Sequence, residues 1–251
     1  MASRIALITG ANSGIGFAIA KELAAAPEGF HVLLAGRTLS KVESAISEIE
    51  TSGHGANGLT ALELDVTNQT SIQTAASAVK QKFGRLDVLI NNAGIENRDT
   101  DLVTKFHETF ATNVLGPVLV SAAFRSLLLA SPAPYSVYIG SVTSSLTSIV
   151  NPDSYLRTTT AGTNAYRASK TALNMIAMHE QLEVKDTPLK VRIMCPGFVV
   201  SNLRGTSEEA RSGGGRAGDP ASSARLLLSI LRGERDGDAQ GLITTSGVCP
   251  W

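Results

Sequence analysis

Short apolar runs alternate along the chain with longer stretches in which apolar positions return every three or four residues. The runs at residues 5–9, 31–35, 60–64, 88–90, 136–139, 190–194 and 242–245 have the length and character of strands. The stretches at 16–26, 39–50, 71–83 and 165–184 carry the helical period. Most of the strand-like runs lack polar alternation, which is the pattern of strands buried on both faces, as in a parallel sheet covered by helices on each side. The pattern therefore predicts an α/β fold: one doubly wound, Rossmann-type domain spanning 1–251, with a mostly parallel seven-stranded sheet and helices on both faces. No repeat of fixed period and no charge block or linker divides the chain. Two segments break the rhythm, the Thr-rich 151–164 and the stretch 201–219 that holds Gly213, Gly214 and Gly215. Both follow strands whose carboxyl ends face the ligand crevice of an open α/β sheet, so substrate contacts and lid motion are expected there.

Composition narrows the chemistry. Twenty-two Lys and Arg balance twenty-two Asp and Glu over 251 residues, so the basic surface of a nucleic-acid or membrane-surface binder is missing. The most apolar stretch, 114–130, is interrupted by Gly116, Pro117, Ser121, Arg125 and Ser126 and falls short of an uninterrupted membrane span. The first residues run straight into a strand without the layout of a signal peptide. A soluble, cytoplasmic protein acting on a small molecule is the expectation. Cys195 and Cys249 are far apart, and His31, His54, His107 and His179 share no ligand spacing, so neither a disulfide nor a metal site is expected and a reducing compartment fits. Cys195, closing an apolar strand, reads as a small packed hydrophobe.

The first strand is followed by Thr9-Gly10-Ala11-Asn12-Ser13-Gly14-Ile15-Gly16 and then a helix. Glycines here let the chain turn sharply and bring backbone N–H groups and a helix amino terminus against a pyrophosphate. The second strand ends in Gly36-Arg37. An acidic residue at that point would grip a ribose 2′-hydroxyl, whereas Arg37 suits a 2′-phosphate through charge-assisted hydrogen bonds, which favours NADPH over NADH. Farther on, Tyr166 and Lys170 are four apart and so share a helix face. A neighbouring ammonium is expected to lower the Tyr166 pKa and make it a general acid for a carbonyl being reduced, or a base for the reverse oxidation.

Together with Asp65-Val66, Asn91-Asn92-Ala93-Gly94, Asn113, Ser141, Tyr166-Arg167-Ala168-Ser169-Lys170 and Pro196-Gly197, the glycine turn resembles the short-chain dehydrogenase/reductase family over nearly the whole chain. TGxxxGIG, NNAG and YxxSK stand in the family's order. The resemblance implies that Ser141 hydrogen-bonds the substrate oxygen, that Lys170 also holds the nicotinamide ribose, and that Asn113 supports a water feeding protons to the site. It further implies a cofactor set of Gly10, Asn12, Ser13, Gly14, Ile15, Gly16, Arg37, Asp65, Val66, Asn92, Ala93, Gly94, Tyr166, Lys170, Pro196, Gly197, Val199 and Ser201. Ser201 stands where the family often has Thr. Members commonly pair through the helix covering 112–130 and the one bearing Tyr and Lys, so a homodimer or homotetramer is implied.

One departure from the family pattern stands out. Ser141 and Tyr166 lie 25 positions apart, about twice the family's usual separation, so 151–164 reads as an insertion beside the substrate mouth. Tyr155 sits at the more usual distance, but its fourth following residue is Thr159, which has no charge to activate it. The expected activity is NADPH-dependent reduction of a ketone or aldehyde, as in carbonyl reductases. The alternatives are an NADP-dependent alcohol dehydrogenase running in the oxidative direction, or a cofactor-binding protein of this fold with a non-redox role.

Overall fold

A computed structural model describes residues 3–54, 58–157 and 162–251. The chain alternates strand and helix: β1 (Arg4–Thr9), α1 (Gly14–Ala25), β2 (Phe30–Gly36), α2 (Leu39–Thr51), β3 (Leu59–Glu63), α3 (Gln69–Phe83) and β4 (Val88–Asn91). Then follow α4 (Leu102–Phe110), one turn of π-helix (Ala111–Leu115), α5 (Gly116–Leu129), β5 (Tyr135–Ile139), a short α6 (Leu146–Val150) and α7 (Asn164–Glu183). The chain closes with β6 (Lys190–Met194), α8 (Glu208–Ser212), α9 (Ala221–Leu231), β7 (Leu242–Thr244) and β8 (Gly247–Cys249). All seven sequence-predicted strands are present, and the expected count is corrected by an eighth. Gly247, at φ +127°, lets the chain fold back so that β8 pairs antiparallel with β7 and closes the sheet edge.

Sheet order is β3-β2-β1-β4-β5-β6-β7-β8, parallel up to the last pair. The order reverses between β1 and β4, which places a ligand crevice outside the carboxyl ends of those strands. Alternation along β1 sorts its side chains into two cores. Ala6 and Ile8 join the layer under α1, α2 and α9, while Ile5 and Leu7 join the layer under α3, α5 and α7. Leu102–Leu129 runs as one 28-residue helical stretch holding an 18-residue window of mean hydropathy 1.4, enough by length and composition to cross a membrane. Here it packs on the protein, with Val120, Phe124, Leu127 and Leu128 buried against the sheet.

One polar cluster lies inside the second layer. The Glu180 carboxylate on α7 accepts hydrogen bonds from Tyr138 Oη (2.6 Å), Ser136 Oγ (3.2 Å) and Arg125 Nη2 (3.3 Å). Ser121 bridges Tyr138 to Asn91 at the end of β4. A buried carboxylate persists only when it is held in this way. Burial and Glu180 together push the Tyr138 phenol far above its ordinary range.

Candidate active site

A cleft of about 980 Å³ runs along the carboxyl ends of β1, β2, β4, β5 and β6. At its floor, Thr9 and Asn92 tie the two central loops together. Thr9 Oγ1 accepts the backbone N–H groups of Asn92 and Ala93, each at 3.0 Å, while Asn92 Nδ2 donates to the carbonyl of Thr9 at 2.8 Å. The glycine turn then crosses β4 in close contact. Gly10 has φ +65°, and a Cβ there would stand 3.0 Å from Cα of Ala93. Gly14, at φ +57°, faces Ser201. Gly16 is packed against Asn92 and the carbonyl of Gly10 behind the loop, and it does not line the cleft as the rest of the predicted cofactor set does. A Cβ there would meet Asn92 Nδ2 and the Gly10 carbonyl, so the absence of a side chain lets α1 pack against the turn.

Helix α1 opens on Ser13, whose side chain makes no cap, and its first turn carries no acidic residue. Its leading N–H groups therefore face the cleft with no internal anion against them, which suits a pyrophosphate. At the end of β2, a Cβ on Gly36 would lie 2.9 Å from Cγ2 of Val42 and 3.3 Å from Oδ1 of Asn12, so an acidic side chain has no room there. Exposed Arg37 and Lys41 line the cleft just beyond. Lys41, in the first turn of α2, was not among the sequence candidates. Asp65 fixes the next turn by accepting from the N–H and hydroxyl of Thr67, and Val66 packs under Gly116. The uncapped helix, the glycine cradle and the two cations fit a dinucleotide phosphorylated on its adenosine ribose.

At the other end of the cleft stand Ser141, Tyr166, Lys170 and Cys195. Lys170 is buried, donates to the Ile139 carbonyl at 2.8 Å and lies 5.8 Å from the centroid of the Tyr166 ring. A Cβ on Gly94 would sit 3.6 Å from Lys170 Nζ and 3.3 Å from Asn113 Oδ1. Asn113, in the π-helical turn, is fully buried. Its Oδ1 accepts the Ile95 N–H, and its Nδ2 donates to the Ile95 carbonyl and to Ser169 Oγ. With both ends of its amide engaged, the Asn113 side chain clamps the NNAG loop to α7. Any water at this position would need another partner, such as the main chain.

The Tyr166 pKa moves opposite to the expected direction in this cleft. Burial is the largest influence on the phenol and raises its pKa well above the ordinary value, with Cys195 and Glu96 acting in the same sense and Ser141 and Arg204 opposing them. Burial also lowers Lys170 to about 8. The lysine points its N–H at a carbonyl, and the cost of desolvation exceeds the attraction that a shared helix face promised. At neutral pH the Tyr166 phenol therefore keeps its proton.

Tyr155 lies outside the cleft in a short 3₁₀ turn and is 69% exposed. Thr159 lies outside the described residues. In the segment 151–164, the Leu156 carbonyl accepts a hydrogen bond at 2.7 Å from Nη2 of buried Arg167, so this part is anchored to α7. Residues 201–219 are tied together by internal hydrogen bonds. Val200 and Gly218 close the base of the loop, and Arg204 bonds the carbonyls of Val199, Ala210 and Arg211. Cys195, expected as packing, is buried yet forms part of the cleft wall and accepts the Val142 N–H through sulfur. Arg204, Arg98 and Glu96 at the mouth were not anticipated. Nothing in the sequence groups them, because their segments meet only in the fold.

A family model described as short chain dehydrogenase matches residues 4–212. Short-chain dehydrogenase anuI of Penicillium roqueforti is 37% identical over 208 residues, covering 80% of this chain and 81% of that protein. Short-chain dehydrogenase/reductase tropE of Talaromyces stipitatus is 31% identical over 256 residues, covering 97% and 96%. Among solved structures, NADPH-bound carbonyl reductase from chicken fatty liver aligns over 100% of both chains with a TM-score of 0.83 and 25% identity.

Proposed function

The chain belongs to the short-chain dehydrogenase family, and from that premise we propose that this oxidoreductase is an NADPH-dependent reductase of a small-molecule ketone or aldehyde. One observation carries the reading: Ser141, Tyr166 and Lys170 line one end of the same cleft whose other end holds Arg37, Lys41 and the amino terminus of α1. A dinucleotide laid along the cleft would put its reacting end at the first group and its phosphorylated end at the second. The NADPH-bound carbonyl reductase of the same fold supports the choice of cofactor.

When bound, reduced nicotinamide supplies the hydride that adds to the carbonyl carbon. Tyr166 gives its phenolic proton to the carbonyl oxygen as charge develops there, and a phenol held neutral by burial is in the correct state to do so. Ser141 donates a second hydrogen bond to the same oxygen from its hydroxyl. Lys170, anchored on Ile139, keeps further N–H groups for the cofactor ribose and stands ready to stabilise the phenolate left after proton transfer. Pro196, Gly197, Val199 and Ser201 wall the nicotinamide end. Exposed Leu115, Met175 and Leu182 on the α5 and α7 side support a homo-oligomer.

The test follows NADPH and NADH consumption at the nicotinamide absorbance against a panel of ketones, aldehydes and diketones, with Tyr166→Phe as control. Turnover with NADPH that vanishes in the variant is the expected result. Tight NADPH binding without turnover across a broad panel would overturn the reductase reading in favour of a non-redox role.

A further inference from the structure

Beyond the catalytic end, the cleft opens at Arg98 and Arg204 into a second recess of about 370 Å³, which those two residues share with Arg216, Glu209 and the backbone of Gly213 and Gly214. Arg204 has its Nε and Nη2 committed to backbone carbonyls, and its guanidinium stacks on the Phe198 ring at 4.4 Å. Gly213, at φ +58°, lies against the other part of that ring, where a Cβ would overlap it. The arginine is thus fixed at the junction of the two cavities. Arg216 makes one bond, from Nε to the Gly213 carbonyl at 3.2 Å. Arg98 is exposed and reaches Glu96 at 3.3 Å.

The charged residues at this junction are three guanidinium groups against Glu209, with Glu96 paired to Arg98. The surplus is one positive charge, which matches a singly charged carboxylate better than a phosphate dianion. Arginine forks bind carboxylates with paired hydrogen bonds.

Resting on the reductase reading above, we infer that the substrate is an oxo acid whose carboxylate lies in the Arg98–Arg204–Arg216 recess while its carbonyl faces Tyr166. The recess sets specificity for the charged group, and Arg204, which lines both cavities, marks the boundary between binding and reaction.

The experiment titrates aliphatic and aryl oxo acids of increasing chain length, each paired with its methyl ester, into the protein with and without NADP, and reads Kd by calorimetry. At least one acid is expected to bind about tenfold or more tightly than its ester, with a preference that weakens as salt rises. The acid-to-ester ratio should fall towards one in Arg98→Gln and Arg216→Gln and be kept in Arg216→Lys, with thermal unfolding confirming that each variant is folded. Arg204 is left intact because it holds the loop. If no acid outbinds its ester anywhere in the panel, or if the preference survives Arg98→Gln together with Arg216→Gln, the assignment is overturned. NADPH consumption with the same compounds is scored separately. Equal turnover of acid and ester would remove the carboxylate site and leave the reductase reading standing. Carboxylate-selective binding without turnover would do the reverse.

Discussion

Tyr166 differs from Tyr155 by environment rather than residue type. Tyr166 lines the cleft with Ser141 and Lys170, and Tyr155 is turned to solvent. Tyr166→Phe is therefore expected to lower kcat by roughly 10²–10⁴-fold, the usual contribution of a positioned general acid, while NADPH binding by fluorescence titration stays close to that of the parent. Tyr155→Phe should leave kcat within about twofold, well inside the effect of a surface change. Arg37→Asp should abolish discrimination in favour of NADPH by removing a charge-assisted bond of about 1.5–3 kcal/mol. Comparing kcat/KM for the two cofactors checks it, and an unchanged ratio would place the discrimination elsewhere, with Lys41 the first alternative. Tyr166 and Arg37 each sit inside or beside a short contiguous motif, whereas Tyr155 stood out only by its distance from Ser141. The protonation states of Tyr166 and Lys170 could not be picked out in advance, because desolvation depends on what encloses a group and not on its neighbours four residues away.

At the scale of elements, the strands were readable because burial on both faces demands unbroken apolar runs, and the major helices because one face is buried and the other wet. Strand β8 escaped notice. Its three residues are short and half-exposed, and their pairing depends on Gly247 turning the chain back onto β7. The hydrogen bonds that tie 201–219 together were hidden for a related reason. They rest on Arg204 bonding three carbonyls and on Phe198 filling the space left by Gly213, all contacts made after the loop has folded. Helix α7 and strand β5 are joined through the buried carboxylate of Glu180. Tyr138→Phe removes its shortest hydrogen bond and the partner of Ser121. The expected cost is about 1–3 kcal/mol, from leaving buried polar atoms less satisfied, read as a lower urea midpoint with unchanged slope. A variant as stable as the parent would show that Arg125 and Ser136 suffice.

For the molecule as a whole, these buried groups set how stability varies with pH. Lys170 titrates at about 8 in the folded protein, against 10.5 for an ordinary lysine. Between those values the unfolded chain holds a proton that the folded chain has released, so the unfolding free energy from this group rises with pH. Tyr138 and Tyr166 act oppositely. Both are raised above the ordinary phenol value of 10, so above that pH the folded chain keeps protons that the unfolded chain loses, and stability falls. Denaturation of the parent and of Lys170→Met from pH 7 to 11 should show the parent gaining on the variant from about pH 8 to 10, and both declining beyond. Parallel curves throughout would mean that Lys170 keeps its charge in the fold.

The α/β class, the parallel sheet, the glycine turn and the shared helix face of Tyr166 and Lys170 follow from local patterns, whereas Ser141 was singled out by the family resemblance. A strand, a turn and one helical face are each specified over a few consecutive residues, where period, backbone sterics and side-chain chemistry act directly. The cleft's electrostatics, the clamp of Asn113 on Ile95, the bond from Arg167 to Leu156 and the meeting of Arg98, Arg204 and Arg216 came only with the folded chain. They join segments more than a hundred residues apart, as Arg98 and Arg216 are, and burial, which governs their charge and hydrogen bonding, is a property of the packed molecule and of no single stretch within it.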